Sequence, residues 1–408
     1  MLRSHRPRPV GFGDGMECWE FWIDVGGTFT DCIGQSPAGG LVQFKTLSSG
    51  VTKGRIDRLE GRDRFVDALR RGEPDGFWIG CELRLLDDRG QTVETARVTA
   101  FDSATGLLTV EKPLPTASPG IRYELSAGEE SPILCIRRVL GLGLADAIPP
   151  VSVRLGTTRG TNALLERKGA RTGFVTTRGF RDVLLIANQD RPRLFDLAIH
   201  KPQPMFVESV EIDERLDAAG AVLRAPDADV VRQQLLDLRK TDVESIAICL
   251  LHSFANPAHE ELVERIAREV GFEEISTSSR LSPLIKIVSR GDTTVVDAYL
   301  NPVLRAYVGR LRQALESGKR NGESGESEIN SGSQSGMLST LDSRPSTLKI
   351  MTSAGGLVDA DRVVGKDSIL SGPAGGVVGF SRVAEAAGFA KSIGFDMGGR
   401  STDVARFE

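Results

Sequence analysis

Two stretches of this chain have the residue types and spacing to handle phosphate and a divalent cation. The first reads Phe21-Trp-Ile-Asp-Val-Gly-Gly-Thr-Phe-Thr-Asp31, and the second Ile393-Gly-Phe-Asp-Met-Gly-Gly-Arg-Ser-Thr-Asp403. They share the frame Asp-x-Gly-Gly-x-x-Thr-Asp, with Asp24 and Asp31 matched by Asp396 and Asp403. Glycines at 26, 27, 398 and 399 let backbone N–H groups approach phosphate oxygens, and the hydroxyls of Thr28, Thr30, Ser401 and Thr402 add donors. Asp24 and Asp396 suit Mg²⁺ held through its water shell, because that ion takes oxygen ligands and sheds water reluctantly. Asp31 and Asp403 are candidates to orient a water or to brace the turn. A single Gly-Gly turn reads equally well as an ordinary hairpin. The repeat of the frame argues for two phosphate loops that close on one nucleotide from opposite sides.

The elements that must position these residues follow from the flanking pattern. Phe21, Trp22, Ile23 and Val25 favour a strand, the two glycines break it, and Phe29, Cys32 and Ile33 resume it. A Pro37-Ala-Gly-Gly40 turn and Leu41, Val42 and Phe44 predict a third strand. Residues 49–131 read differently, as short alternating runs between Gly turns, and predict an all-β module. Ser131–Leu140 is expected as a helix, and beyond it strands and helices alternate as in a layered α/β domain.

In that α/β region a strand over Val151–Leu155 is expected to end at Gly156-Thr-Thr-Arg-Gly-Thr-Asn162, followed by a helix over Ala163–Lys168 capped by Gly169. Ligands gather at the C-terminal ends of strands in open α/β sheets, which makes Thr158, Arg159 and Asn162 substrate candidates. Gln189 and Arg191, in Asn188-Gln-Asp-Arg-Pro-Arg193, offer amide and guanidinium groups suited to a lactam and a carboxylate. Strands are expected over Thr172–Thr176 and Ser245–Leu251, with helices near 228–240 and 257–270. Arg290–Pro302 should lead into a helix ending near Glu316. A strand over Leu348–Thr352 precedes Ser371-Gly-Pro-Ala-Gly-Gly376, where Pro373 opens a helix. There Gly375 and Gly376 suit either a phosphate docked on the helix N-terminus or tight packing.

Composition narrows the function. Charged residues make up 26% with a net charge of −4, which gives no basic surface for nucleic acid. Five scattered cysteines without a C-x-x-C pair fit a reducing cytosol and no structural zinc, and the four histidines form no ligand cluster. No apolar run reaches the ~18 residues of a membrane span, and the Arg- and Pro-rich start lacks the apolar segment of a secretory signal. The expected location is cytoplasmic, with no nucleic-acid or membrane partner.

The residues 24–31 (DVGGTFTD), 156–184 (GTTRGTNALLERKGARTGFVTTRGFRDVL), 189–197 (QDRPRLFDL), 371–379 (SGPAGGVVG) and the 394–403 motif together resemble the hydantoinase/5-oxoprolinase family. The A part of that family is similar to the actin–hexokinase group of ATPases. RPRLFDLAIHKPQ followed by VEIDERLDAAG favours the oxoprolinase side. The resemblance implies an α/β fold of ribonuclease-H-like (actin/hexokinase-type) ATPase lobes, the second incomplete, with a small all-β insertion. It implies ATP and Mg²⁺ as cofactors and the opening of a cyclic amide, first 5-oxo-L-proline to L-glutamate. Alternatives are an N-methylhydantoinase or acetone-carboxylase-like subunit, and a truncated, non-catalytic nucleotide-binding or assembly subunit. The implied partner is a hydantoinase B-like subunit or the remainder of the second lobe.

The domains expected on this basis are a disordered tail over 1–19 and a first lobe over 20–48 plus 132–285, interrupted by the insertion 49–131. The start of the second lobe takes 286–408, with a disordered loop over 318–347 rich in Gly, Ser, Asn and Glu. Two features depart from the family pattern. Arg400 stands where it has Thr, which predicts altered turnover, and Glu408 lies one strand past the second motif.

Overall fold

A computed structural model describes residues 18–189, 195, 197–199, 201–316, 345–397 and 402–408. The expected tail and the 318–347 loop lie mostly outside these residues. At their edges the structure differs from expectation, because Trp19 already opens the first strand and Thr347 opens another.

The protein is mixed α/β. Strands β1 (Trp19–Val25), β2 (Phe29–Gln35) and β3 (Leu41–Leu47) form an antiparallel meander in the predicted places. Alternation sets their faces. Phe21, Ile23 and Val25 turn inward with Thr30 and Cys32, whereas Asp24 and Asp31 turn outward. Seven further strands follow: β4 (Val51–Arg55), β5 (Arg58–Leu59), β6 (Arg64–Val66), β7 (Glu82–Leu86), β8 (Thr92–Asp102), β9 (Leu107–Val110) and β10 (Arg122–Ser126). They form one antiparallel sheet in the order β4-β10-β7-β8-β9-β6-β5. Ile56, Phe65, Leu83, Leu85, Leu108, Tyr123 and Leu125 fill its core.

Helix α1 (Ser131–Leu140) occupies the predicted span. Pro132 sits in its first turn, where no N–H partner is lost, and Gly141 ends it with φ 69°, a left-handed turn that glycine takes without strain. Beyond it come β11 (Val151–Thr157), α2 (Arg159–Leu165), β12 (Thr172–Thr177), α3 (Val183–Ile186) and β13 (Glu208–Ile212). A two-stranded ribbon of β14 (Arg215–Leu216) and β15 (Val222–Arg224) follows, then α4 (Ala228–Arg239), β16 (Ser245–Cys249), α5 (Ala258–Glu269), β17 (Glu274–Thr277) and α6 (Ser278–Leu281).

The parallel sheet β13-β12-β16-β17 packs Val175, Ile246, Ile248 and Ile275 against Leu235, Val263 and Ile266 of α4 and α5. This sheet is buried on both faces, which is why Ser245–Cys249 carries no alternation. Helix α2 starts earlier than expected and stops before Lys168. The role expected of Gly169 as a cap is not observed, since Arg167 takes the left-handed turn with φ 52°. Gly169 is required instead by packing, because a Cβ there would lie 2.1 Å from the Tyr299 ring.

Helix α7 (Ile287–Glu316) is thirty residues long and already includes Arg290–Pro302, which the sequence reading placed before it. Its buried polar groups have structural work. Arg290 donates to the Leu250 carbonyl at 2.6 Å and to that of Leu284 at 2.9 Å. Asp297 accepts from Ser276 at 2.7 Å, Asn301 at 3.0 Å and the Lys366 N–H at 2.9 Å. These bonds hold the helix through the interruption that Pro302 makes in its ladder.

The chain continues with β18 (Thr347–Met351), β19 (Leu357–Asp359), α8 (Ser371–Ala386), β20 (Ser392–Met397) and β21 (Thr402–Phe407). A six-stranded sheet takes the order β19-β18-β11-β1-β2-β3, whereas β20 and β21 pair only with each other. The chain divides into two compact units, Met1–Leu155 with Leu311–Lys349, and Gly156–Arg310 with Ile350–Glu408.

Candidate active site

The first Asp-Gly-Gly turn joins β1 to β2. Gly26 donates its N–H to the Phe29 carbonyl at 3.0 Å, and a Cβ on Gly26 would stand only 3.0 Å from that oxygen. Gly27 and Thr28 are exposed, and the Thr28 carbonyl accepts from the Ser48 N–H at 2.9 Å. In register, Asp24 lies opposite Asp31 and Val25 opposite Thr30. Cross-strand partners share a face, so both carboxylates are presented to solvent together.

Asp31 is held by Lys45, whose Nζ lies 2.8 Å from each carboxylate oxygen and 5.2 Å over the Phe29 ring. The sequence reading missed Lys45. The signal lay in the meander register, which sets Asp31 opposite it on β3. Thr30, expected to face phosphate, is fully buried and bonds Ser131 at 2.8 Å and Ser48 at 3.0 Å. Its hydroxyl ties the hairpin to the start of α1 and leaves phosphate contact to the exposed turn.

The second turn repeats the register, with Asp396 opposite Asp403 and Met397 opposite Thr402. Asp396 and Thr402 are exposed and Asp403 is half-buried. Gly398, Gly399, Arg400 and Ser401 lie outside the described residues. Helix α8 packs on this hairpin so closely that a Cβ on Gly394 would meet the Phe380 ring at 2.3 Å.

A second constellation joins motifs far apart in sequence. Ser371, the first residue of α8, donates to the Thr157 carbonyl at 2.7 Å, and the Thr161 hydroxyl reaches the Ile369 carbonyl. A Cβ on Gly160 would lie 2.3 Å from Ser368 Oγ, and one on Gly372 would lie 3.0 Å from Thr158. Asn162 donates to Thr158 Oγ1 at 3.1 Å, and the Arg159 guanidinium lies 4.8 Å over the Tyr307 ring. Thr158, Arg159 and Asn162 are thus brought to the foot of α8. Gly375 sits against Met351, and Gly376 is open on its exposed side.

Gln189 is exposed with φ 59°, and Arg191 lies outside the described residues. Ala187, two positions before Gln189, lines a cavity of about 420 Å³ with Arg167, Lys201 and Asp292. Burial pushes the Asp292 carboxyl above its usual range. Its sequence context, inside a helix, gave no hint of this.

Among the described residues no group of three or more His, Cys, Asp or Glu side chains is arranged as a metal cage. His259 pairs with the buried Glu214 at 2.6 Å, and His252 meets the Leu216 carbonyl at 2.8 Å. All five cysteines are free of disulfides. No helix among the described residues is long and apolar enough to cross a membrane.

Residues 98–271 match the hydantoinase/oxoprolinase N-terminal region, and residues 290–408 match hydantoinase/oxoprolinase. The chain is 37% identical over 315 residues to 5-oxoprolinase of Saccharomyces cerevisiae, an overlap of 68% of this chain and 23% of that protein. Its fold is similar to nucleotide-free acetone carboxylase, with TM-score 0.60 and 20% identity, covering 95% of this chain and 43% of that one. It is also similar to the ATP-dependent caprolactamase of Pseudomonas jessenii, with TM-score 0.56, 22% identity and the same coverage. The chain spans between 21% and 26% of the length of the first curated relatives it matches.

Proposed function

The chain belongs to the hydantoinase/oxoprolinase family, and from that premise we propose that it forms the nucleotide-binding part of an ATP-dependent cyclic-amide hydrolase. Its first substrate in this reading is 5-oxo-L-proline, opened to L-glutamate, and a hydantoin is the second. The observation that carries the reading is the shared register of the two hairpins, which sets Asp24 against Asp31 and Asp396 against Asp403.

ATP would supply a phosphoryl group to the lactam oxygen, which makes the ring carbon electrophilic; water adds there, the C–N bond breaks as the nitrogen takes a proton, and a second water releases phosphate from the acyl phosphate left behind. The Gly26 N–H closes the turn on Phe29, so the exposed Gly27 and Thr28 are the part of it that would hold phosphate oxygens, a role that the matching motif assigns to Gly398 and Gly399 in the second. Asp24 in the first hairpin and Asp396 in the second are each a carboxylate that would hold Mg²⁺ through waters. That ion is commonly bound by one or two carboxylates, so no three-residue cage is required. Asp31 braces the first turn through Lys45, and Asp403 takes the equivalent position in the second. Thr158, Arg159, Asn162, Gln189 and Arg191 orient the cyclic amide. Asp292, whose carboxyl burial raises above its usual range, lines a cavity in which Arg167 and Lys201 suit a substrate carboxylate.

The antiparallel meander β1-β2-β3 supports ribonuclease-H-like ATPase lobes, with 51–126 inserted as a separate sheet. The exposed apolar side chains of the second hairpin support a B-like subunit, or the remainder of the second lobe, as what covers them.

Calorimetry with Mg-ATP, followed by phosphate release with and without 5-oxo-L-proline, tests the reading. Phosphate release that rises with 5-oxo-L-proline in the presence of the completing part is expected. Binding without turnover there would leave a nucleotide-binding subunit, and absence of Mg-ATP binding overturns the proposal.

A further inference from the structure

A cavity of about 380 Å³ in the first unit is lined by β2, β3 and β4, by the segment 70–78 of the insertion and by α1, which carries Arg138. Its size suits a small organic ligand. Four cations, Lys45, Lys53, Arg70 and Arg138, stand in its wall against the single carboxylate of Glu73. Three of the four have partners elsewhere. Lys45 is paired with Asp31 at 2.8 Å, Lys53 approaches Glu124 at 3.8 Å, and Arg70 meets Asp67 at 3.5 Å.

Arg138 is served least. It shares Glu73, at 3.4 Å, with Arg70 at 3.3 Å and with the Trp78 indole N–H. Its Nη1 is buried without a hydrogen-bond partner. A buried donor left in that state is costly, and an anion that reached it would recover the loss. Burial also pulls the Arg138 pKa below its usual value, the direction expected of a guanidinium short of countercharge.

Shape adds to charge. The Arg138 guanidinium lies 5.5 Å over Phe44 and 5.4 Å over Phe77, and Arg70 lies 5.4 Å over Trp78. The guanidiniums cover ring faces of Phe44, Phe77 and Trp78, so the wall offers these rings around the N–H fork, a setting that suits a flat organic ligand with a carboxylate at the fork. Asp31, Glu124, Asp67 and Glu73 match the four cations in number, so what is left over is the unpaired donor at Arg138 rather than net charge. One donor suits one carboxylate and disfavours a nucleotide's several charges.

We propose that this cavity binds a small planar organic monocarboxylate, with its carboxylate at Arg138 Nη1 and its ring among Phe44, Phe77 and Trp78. The site shares Lys45 with the bracing of the first turn but uses none of the residues proposed to contact nucleotide, and it does not depend on that reading.

The test is calorimetric titration of the full chain with 2-naphthoate and, in parallel, with the neutral 2-naphthamide. The carboxylate should bind at least about tenfold tighter than the amide, the discrimination expected of a charge-assisted bond. Arg138→Lys, checked for folding by thermal unfolding, should abolish that preference. Lys53→Met, at a largely exposed position, should weaken 2-naphthoate by about threefold without endangering the fold. Saturating Mg-ATP should leave 2-naphthoate binding unchanged. Equal affinity for acid and amide, no binding at millimolar probe, or displacement by Mg-ATP each overturns the proposal. So does 2-naphthoate affinity that neither substitution alters, which would place the probe elsewhere, as on the apolar face of the second hairpin.

Discussion

The two Asp-Gly-Gly hairpins share a frame and a cross-strand register, and they differ in what surrounds them. In the first, β1 lies inside a six-stranded sheet, α1 covers one face, and Phe21, Ile23 and Cys32 are at most 3% exposed. The second is a lone pair of strands with α8 against it, and Ile393, Phe395 and Met397 are each about 70% exposed. The comparison separates two things that one motif can encode. The Gly-Gly turn and its flanking alternation specify the hairpin and the placing of its carboxylates, whereas stability comes from what the apolar face is packed against. An exposed apolar strand pair of this kind is a surface that invites pairing.

The largest contrast should appear in stability. Ile23→Ala opens a hole in a packed face and should cost about 2–5 kcal/mol, read from urea unfolding. Ile393→Ala, at a position 73% exposed, should stay within about 1 kcal/mol in the isolated chain. Equal costs would mean that the second hairpin is packed in solution as firmly as the first. Next comes activity, where the two should converge. Asp24→Asn and Asp396→Asn should each lower Mg-ATP-dependent phosphate release by about a hundredfold or more while leaving the unfolding midpoint in place, since both side chains are exposed. A loss confined to one of them breaks the reading of two matched phosphate loops.

Much of this contrast was legible in the sequence, and the remainder failed for identifiable reasons. The meander and α1 carry strong local signals, such as the Gly26-Gly27 and Pro37-Ala-Gly-Gly40 turns, Pro132 in a first turn and Gly141 at a helix end, and Ser245–Cys249 of the parallel sheet is a short apolar run. Short charged strands such as Arg58–Leu59 carry no such signal, so the individual strands in the first part of the inserted sheet were not foreseen, although the all-β module over 49–131 was expected. Helix α7 was placed too late: Gly291 and Pro302 disfavour a helix locally, whereas tertiary bonds to Arg290 and Asp297 override them. Thr30 was assigned to phosphate because its position in the motif was read without its face. The same alternation that turns Asp24 and Asp31 outward must turn Thr30 inward with Val25 and Cys32. Asp292 and Lys45 owe their settings to tertiary and cross-strand neighbours, which no local pattern reports.

That face argument makes a smaller prediction. Thr30→Val removes a buried hydroxyl and strands Ser131 and Ser48, so it should cost about 1–3 kcal/mol with little change in Mg-ATP affinity. Thr402→Val, exposed on β21, should stay within about 0.5 kcal/mol and act, if at all, on nucleotide binding. A reversed pattern would put the Thr30 hydroxyl back at the phosphate.

The smallest expected effect concerns the carboxylates themselves. Asp24 faces Asp31, and Asp396 faces Asp403, so each hairpin sets like charges directly opposite one another, an arrangement that destabilises a strand pair. In the first hairpin a third strand supplies Lys45 to Asp31, while β20 and β21 have no third strand beside them among the described residues. Both side chains of the Lys45–Asp31 pair are more than half exposed, so Lys45→Met should cost only about 0.2–1 kcal/mol. The loss should fade at high salt, because exposed charges are screened over about 10 Å at 0.1 M ionic strength. Lacking that lysine, the second hairpin should depend more on a cation from solution. Millimolar Mg²⁺ should therefore protect the amides of β20 and β21 from hydrogen exchange more than those of β1 and β2, and Lys45→Met should narrow the difference. If Mg²⁺ protects both hairpins equally in the wild type, repulsion between the paired carboxylates is not what distinguishes them.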